Sequence, residues 1–141
     1  MGTINTRISI RSSNTFRNSI SQRHDRTFNV ESQIDSATRL IKATTSGSPY
    51  TLFDGADFYD SAETGAGANQ VYVFIRNTST TGGKTLTIQF NKNGVRDDAL
   101  LLNAGEFAMF PWKCDAATDD IEVFSNDAAG VRIEYIASPM R

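Results

Sequence analysis

This sequence is short of the residues that carry most enzyme chemistry. It has one histidine, His24, and one cysteine, Cys114. A lone cysteine excludes a disulfide within the chain, which fits a protein assembled in a reducing cytoplasm. Cysteine zinc sites need more thiols, and a histidine-rich metal site is excluded by the same count. A nucleophile needs a base within hydrogen-bond reach and a third group to orient that base. Only His24 could be such a base, and it sits in the polar stretch QRHDR, far in sequence from Cys114. The segment TTGGKT (80–85) lacks the first glycine and the spacing of a phosphate-binding loop. The expectation is therefore a protein that is not an enzyme, with no catalytic residue, no metal ligand, no cofactor and no small-molecule substrate. No apolar run approaches the roughly 20 residues of a membrane helix. The start of the chain lacks the apolar core of a secretory signal, so no membrane partner is expected.

What is present is ordinary for a folded domain. The chain has 141 residues, 39% hydrophobic and 21% charged, with a net charge of −2. That length predicts one domain, here with an arm. The charge is unevenly placed. Residues 1–42 hold seven basic residues against three acids, a balance of +4, and the remainder holds seven against thirteen, a balance of −6. A basic head on an acidic body suits pairing with the body of a neighbouring copy. It suits nucleic acid poorly: arginines can meet phosphates, but four in the opening stretch is thin and the body is acidic.

The opening stretch, TRISIRSSNTFRNSISQR (6–23), has a parity. After Met1 the apolar residues are Ile4, Ile8, Ile10, Phe16, Ile20, Phe28, Val30 and Ile34, all even-numbered, while Arg7, Arg11, Arg17 and Arg23 are all odd-numbered. Period two means extended chain with alternate faces. Twenty extended residues would reach about 65 Å, beyond a body of roughly 110 residues. Ordering such a segment costs about 1–2 kcal/mol per residue in backbone entropy, and a few apolar anchors do not clearly outweigh that. The expectation is an extended N-terminal arm, residues 1–34, that orders against a neighbouring subunit. Its interface residues are Ile4, Arg7, Ile8, Ile10, Arg11, Phe16, Arg17, Ile20 and Arg23, apolar face down and arginines toward acids or solvent.

From residue 35 the signals are those of short strands. ATRLIKATT (37–45), a strand around 50–53, QVYVFIRN (70–77), KTLTIQFN (84–91), ALLLN (99–103), EFAMFPW (106–112), DIEVFS (120–125) and GVRIEYIA (130–137) recur at intervals of about a dozen residues. QVYVFIRN is apolar on both faces and predicts a central strand. KTLTIQFN alternates, placing Leu86, Ile88 and Phe90 inward. Asn93-Gly94 marks a tight hairpin turn, and 80–85 reads as another. This pattern predicts an all-β fold, a β-sandwich or jelly-roll of about eight strands over residues 35–141.

The remaining candidates read as structure. Asp54, Asp57, Asp60 and Glu63 recur every three residues, which is not the alternate spacing of an EF-hand calcium loop, and they are expected to be solvated loop acids. Asp97-Asp98 and Asp119-Asp120 read as solvated turn residues. Tyr72, Phe74, Phe90, Phe107, Phe110, Trp112, Phe124 and Tyr135 are expected mostly in the core.

The stretches NQVYVFIRNTSTTGGKTLTIQF, LLLNAGEFAMFPW and IEVFSNDAAGVRIEYIA together resemble small virion structural proteins of tailed bacteriophages, over roughly residues 69–137. The resemblance lies in a strand ending in IRNTS, an NAGE turn before an aromatic strand, and a last strand after NDAAG. It implies a non-enzymatic virion component assembled in the bacterial cytoplasm, in first place a capsid decoration (cement) protein. Its partners would be the major capsid protein and copies of itself, for example as a trimer. A tail, neck or baseplate component is the alternative within that group. Outside it stands a carbohydrate-binding module using exposed aromatics such as Tyr59 or Trp112.

Overall fold

Asn93 and Gly94 both hold left-handed backbone, with φ of 53° and 86°. Two consecutive residues with positive φ make the tight turn whose twist matches a β-hairpin. The rest of the fold is arranged about this bend. The computed structural model describes residues 2–12, 20–30, 35–65 and 67–140. In chain order they form β1 (Gly2–Ser12), β2 (Ile20–Val30), β3 (Asp35–Ile41), β4 (Tyr50–Phe53), a helical turn α1 (Gly55–Phe58), β5 (Gln70–Asn77), β6 (Leu86–Lys92), β7 (Val95–Leu102), β8 (Phe107–Lys113), β9 (Asp119–Ser125) and β10 (Val131–Met140).

Around Asn93-Gly94 four antiparallel pairs are nested: β6 with β7, β5 with β8, β4 with β9 and β3 with β10. Two further pairings, β5 with β10 and β6 with β9, close this long folded ribbon into two sheets. One runs β3-β10-β5-β8 and the other β4-β9-β6-β7. An eight-stranded double sheet wound in this order is a jelly roll. The expected β-sandwich is therefore present, and β5 is a central strand as its two apolar faces predict.

The core lies between the sheets. Val71, Val73 and Ile75 of β5 and Ile133 and Tyr135 of β10 face Leu86 and Ile88 of β6 and Ile121 and Val123 of β9, all buried. Ring contacts tie the layers together. Phe53 meets Tyr135 edge-on at 5.6 Å, and Phe90 meets Phe110 at 5.6 Å. Such pairs add to the burial of the rings themselves.

One turn of helix enters where only strands and loops are expected. Asp54 caps α1, its carboxylate accepting from the Ala56 N–H at 2.9 Å. Gly55 opens the turn because nothing larger fits: a Cβ there would stand 2.3 Å from the Asp119 carbonyl oxygen.

Four local expectations are corrected. The segment 80–85 is not a hairpin turn, since it leads from β5 in one sheet to β6 in the other. β7 begins at Val95 rather than at 99, so Asp97 and Asp98 lie within a strand. The pairing slips between Ile88 and Gln89, where Leu100 and Asp98 are the successive partners and Ala99 is left over. That bulge breaks the alternation a strand shows in sequence. Asp119 is buried and Asp120 half-buried rather than solvated.

The opening segment also differs from a single extended arm. β1 and β2 double back on each other in an unbroken register from Gly2–Val30 to Ser12–Ile20. At about 3.4 Å per residue this ribbon is about 37 Å long, just over half the reach of an undoubled arm.

Candidate interaction surface

Register decides how the arm residues are grouped. In β1–β2 each pair of opposed residues shares parity, as in Ile4–Phe28, Ile8–His24 and Arg7–Asp25. Opposed residues of an antiparallel pair lie on the same face. The even-numbered positions, with Ile4, Ile8, Ile10 and Ile20, therefore share one face of the ribbon. The odd-numbered positions, with Arg7, Arg11 and Arg23, share the other. Arg7 and Arg23 are exposed. Phe16 and Arg17 lie outside the described residues. The structure thus brings seven of the nine arm positions onto one two-stranded element, a grouping that the parity of a single strand could not show.

The ribbon is joined to the sandwich at its base. Among the described residues β2 meets β10 at the single pair Val30–Met140, and β1 is bonded to β2. A two-stranded hairpin is marginal in water unless a further surface packs on it.

The opposite flank of the sandwich carries a second feature, one that the sequence pattern does not reveal. Among the described residues the exposed large hydrophobics are Leu40, Val95, Leu100, Leu101 and Phe107. Four of the five fall within 95–107, on β7 and the first residue of β8. These two strands end their respective sheets, so both sheets present an outer edge on this flank. Val95 is 64% exposed, Leu101 57% and Phe107 56%. Phe107 is thus not a core residue. It sits opposite Arg76 and leans on Phe74, ring centroids 5.9 Å apart. Alternation along β8 puts Phe107 on the face opposite Ala108, Phe110 and Trp112, but it does not tell whether the outer residues of an edge strand are covered.

Next to this flank the outer face of the β4-β9-β6-β7 sheet holds a polar cluster. Glu122, its side chain only 4% exposed, accepts two hydrogen bonds from Arg96, Nε to Oε2 at 2.6 Å and a terminal nitrogen to Oε1 at 3.1 Å. Asn91 Nδ2 donates to Glu122 and to Asp120, both at 3.3 Å. Gln89 Nε2 donates to Asp98 at 2.7 Å. The Glu122 carboxylate, through its hydrogen bonds and charge, raises the pKa of Arg96. A paired, hydrogen-bonded carboxylate of this kind locks strand β7 to β9 across β6; its chemistry is structural.

The other sequence candidates are accounted for locally. Asp60 accepts from the Ala62 N–H at 2.8 Å and Glu63 from the Asn69 N–H at 2.9 Å, so the acids of 54–63 shape their own turns. No group of three His, Cys, Asp or Glu able to hold a metal ion occurs among the described residues. Trp112 is buried against Phe58, and Tyr59 is half-buried against the core, so neither forms an exposed platform for a sugar. Cys114 is buried among the carbonyls of Gly55, Ala116 and Asp119. Burial, with the Asp119 charge adding to it, pushes its thiol up to about 11.

Comparison of the chain with protein-family models, with curated proteins and with solved structures returns no match.

Proposed function

We propose that this is a non-enzymatic assembly protein of a tailed-phage virion, in first place a capsid decoration protein, and that the β1–β2 hairpin is its clasp. The observation that supports this most is the hairpin itself. It is about 37 Å of two-stranded ribbon, joined in register to its own sandwich, among the described residues, through one residue pair. Its even-numbered face is rich in isoleucine, and its odd-numbered face carries arginines. Such an element gains its stability from a surface on another subunit. The jelly roll is a common frame of viral capsid proteins and also of lectins. Fold alone does not choose between them. The burial of Trp112 and the absence of an exposed aromatic platform at Tyr59 favour the assembly role over sugar binding.

As a decoration protein the sandwich would sit on the shell and the hairpin would reach a neighbouring copy or the major capsid protein. It would add contact area that resists the pressure of packed DNA. Incubation with empty capsids of the phage that encodes it, followed by sedimentation and quantitation, tests this. Loading in the hundreds of copies that a shell lattice offers is the expected result. Binding at a single vertex or to purified tails would assign it to the neck, tail or baseplate instead, and binding to no virion part would overturn the proposal.

A further inference from the structure

The bend at Asn93-Gly94 sets an electrophile and a nucleophile one peptide apart. The Gly94 nitrogen can attack the side-chain carbon Cγ of Asn93, because glycine has no Cβ to shield that nitrogen. An N–Cγ bond forms, the Cγ–Nδ2 bond breaks, and ammonia leaves with the amide proton. Water then opens the five-membered ring at one carbonyl or the other. The product is aspartate, or isoaspartate with the main chain rerouted through Cβ and Cγ. Water is the one co-reactant, and both residues are exposed to it.

The folded turn holds this reaction shut. Conformation is the first restraint. Asn93 has φ of 53°, and in that left-handed region ψ lies at about +30 to +60°. Such a ψ sets the Gly94 nitrogen nearly opposite Cβ across the Cα–C bond, where the ring cannot close. A hydrogen bond is the second restraint. The Gly94 N–H, which must lose its proton before the nitrogen attacks, donates to Asn91 Oδ1 at 3.0 Å. Asn91 is buried, and its amide is fixed from the other end. Its Nδ2 donates to Asp120 and to Glu122, both at 3.3 Å, and Glu122 is bound by Arg96. A flipped Asn91 amide would aim its oxygen at those two carboxylates. The electrophile is tethered as well, since Thr118 Oγ1 donates to Asn93 Oδ1 at 3.3 Å.

We infer that Asn93 is a latent deamidation site and that Asn91 is the residue that keeps it latent. The reaction waits on opening of the turn, as exchange of a protected amide does. Its consequence follows from the place of the turn in the fold. Lys92 pairs with Val95 across only two residues, and so short a loop has no room for the extra main-chain atom of isoaspartate. Among the described residues β6 is the one strand hydrogen-bonded to β7. Conversion therefore loosens an edge strand at its start, and a transient opening is recorded as a permanent charge.

Full-length chains incubated in mildly alkaline buffer, well below their melting temperatures, test this. The chains are wild type, Asn91→Ala and Val73→Ala, with wild type unfolded in guanidinium alongside. Samples are digested in acid, and peptides spanning 93–94 are read by mass spectrometry for loss of the amide and for isoaspartate. Conversion at Asn93 is expected to be fast in the unfolded chain and at least about tenfold slower in the native one. Asn91→Ala is expected to recover much of the lost rate. Val73→Ala is the control for lost stability alone, because Val73 is buried on β5 in the other sheet. If Asn91→Ala, at an equal distance below its melting temperature, converts no faster than Val73→Ala, Asn91 is not the restraint and the inference fails. The two wild-type samples decide independently of how well either variant folds. Native conversion as fast as in the unfolded chain, or no conversion at Asn93 in the unfolded chain, overturns the inference.

Discussion

Val30 stands opposite Met140, and among the described residues this is the pair that carries the register of the hairpin into the sandwich. The consequence is a division of labour along the chain. Among the described residues the buried hydrophobic residues of the core run from Ile41 to Ala137, so the sandwich has its own source of stability.

Gly55 should not tolerate a side chain. A Cβ would meet the Asp119 carbonyl oxygen at 2.3 Å and the Ala116 carbonyl oxygen at 2.9 Å, both backbone atoms that cannot swing aside. Gly55→Ala is expected to cost about 1–3 kcal/mol through overpacking, read as a lower urea midpoint at unchanged slope. A midpoint equal to wild type would show that the α1 turn yields without cost.

Arg96 and Glu122 should behave as a coupled pair. Glu122→Ala removes two charge-assisted hydrogen bonds and one of the two partners of Asn91, and is expected to cost about 1–3 kcal/mol. Arg96→Ala leaves the buried Glu122 carboxylate with Asn91 alone and destabilises as well. In a double-mutant cycle the two losses are less than additive. Full additivity would mean that the pair does not interact in solution.

Cys114 should be inert while the protein is folded. Its thiol is buried and raised to about 11, against about 8.5 in an unfolded chain. A thiol-reactive dye at pH 8 is expected to label it only after unfolding. The sign of the linkage also follows. The folded state holds this proton more tightly, so stability is full below about pH 8.5 and declines as pH rises through about 11. Rapid native labelling would contradict the burial.

Acid should act in the opposite sense. Lys84 bonds Asp127 at 2.8 Å and, with the Ala129 N–H, holds its carboxyl below the usual range; Lys113 and then Lys92 do the same for Asp115. A depressed folded pKa contributes stability above the unfolded value of about 3.9, which is lost as pH falls through the folded value. Urea midpoints should hold steady down to about pH 5 and fall below about pH 4. Asp127→Asn should flatten part of that fall. The size is small, because these pairs are partly exposed and solvent screens them.

Much of the sandwich was legible because its strands are short, alternate or doubly apolar, and end in turn residues. QVYVFIRN matches β5 from end to end, and Asn93-Gly94 marks the bend about which the roll is wound. What could not be read was long-range. Nothing in DIEVFS says that it lies between YTLF and LTIQFNK. Asp97 and Asp98 look like turn residues because acids are rare in strands. They are strand residues here because the Ala99 bulge and the bond from Gln89 hold the edge open to water. The arm parity was real and pointed to extended chain, but one strand and two strands give the same alternation. Phe107 was misplaced by grouping it with Phe110 and Trp112, which face the core; it differs from them in parity, so alternation along β8 puts it on the other face.

The central claim is that the hairpin is an assembly element and the sandwich a self-sufficient body. The most direct measurement is the native mass of the full chain and of a chain lacking 2–30, by light scattering over the same concentration range, with thermal unfolding of both. The account predicts an oligomer for the first, a monomer for the second, and closely similar melting temperatures. Equal masses for both chains would contradict it.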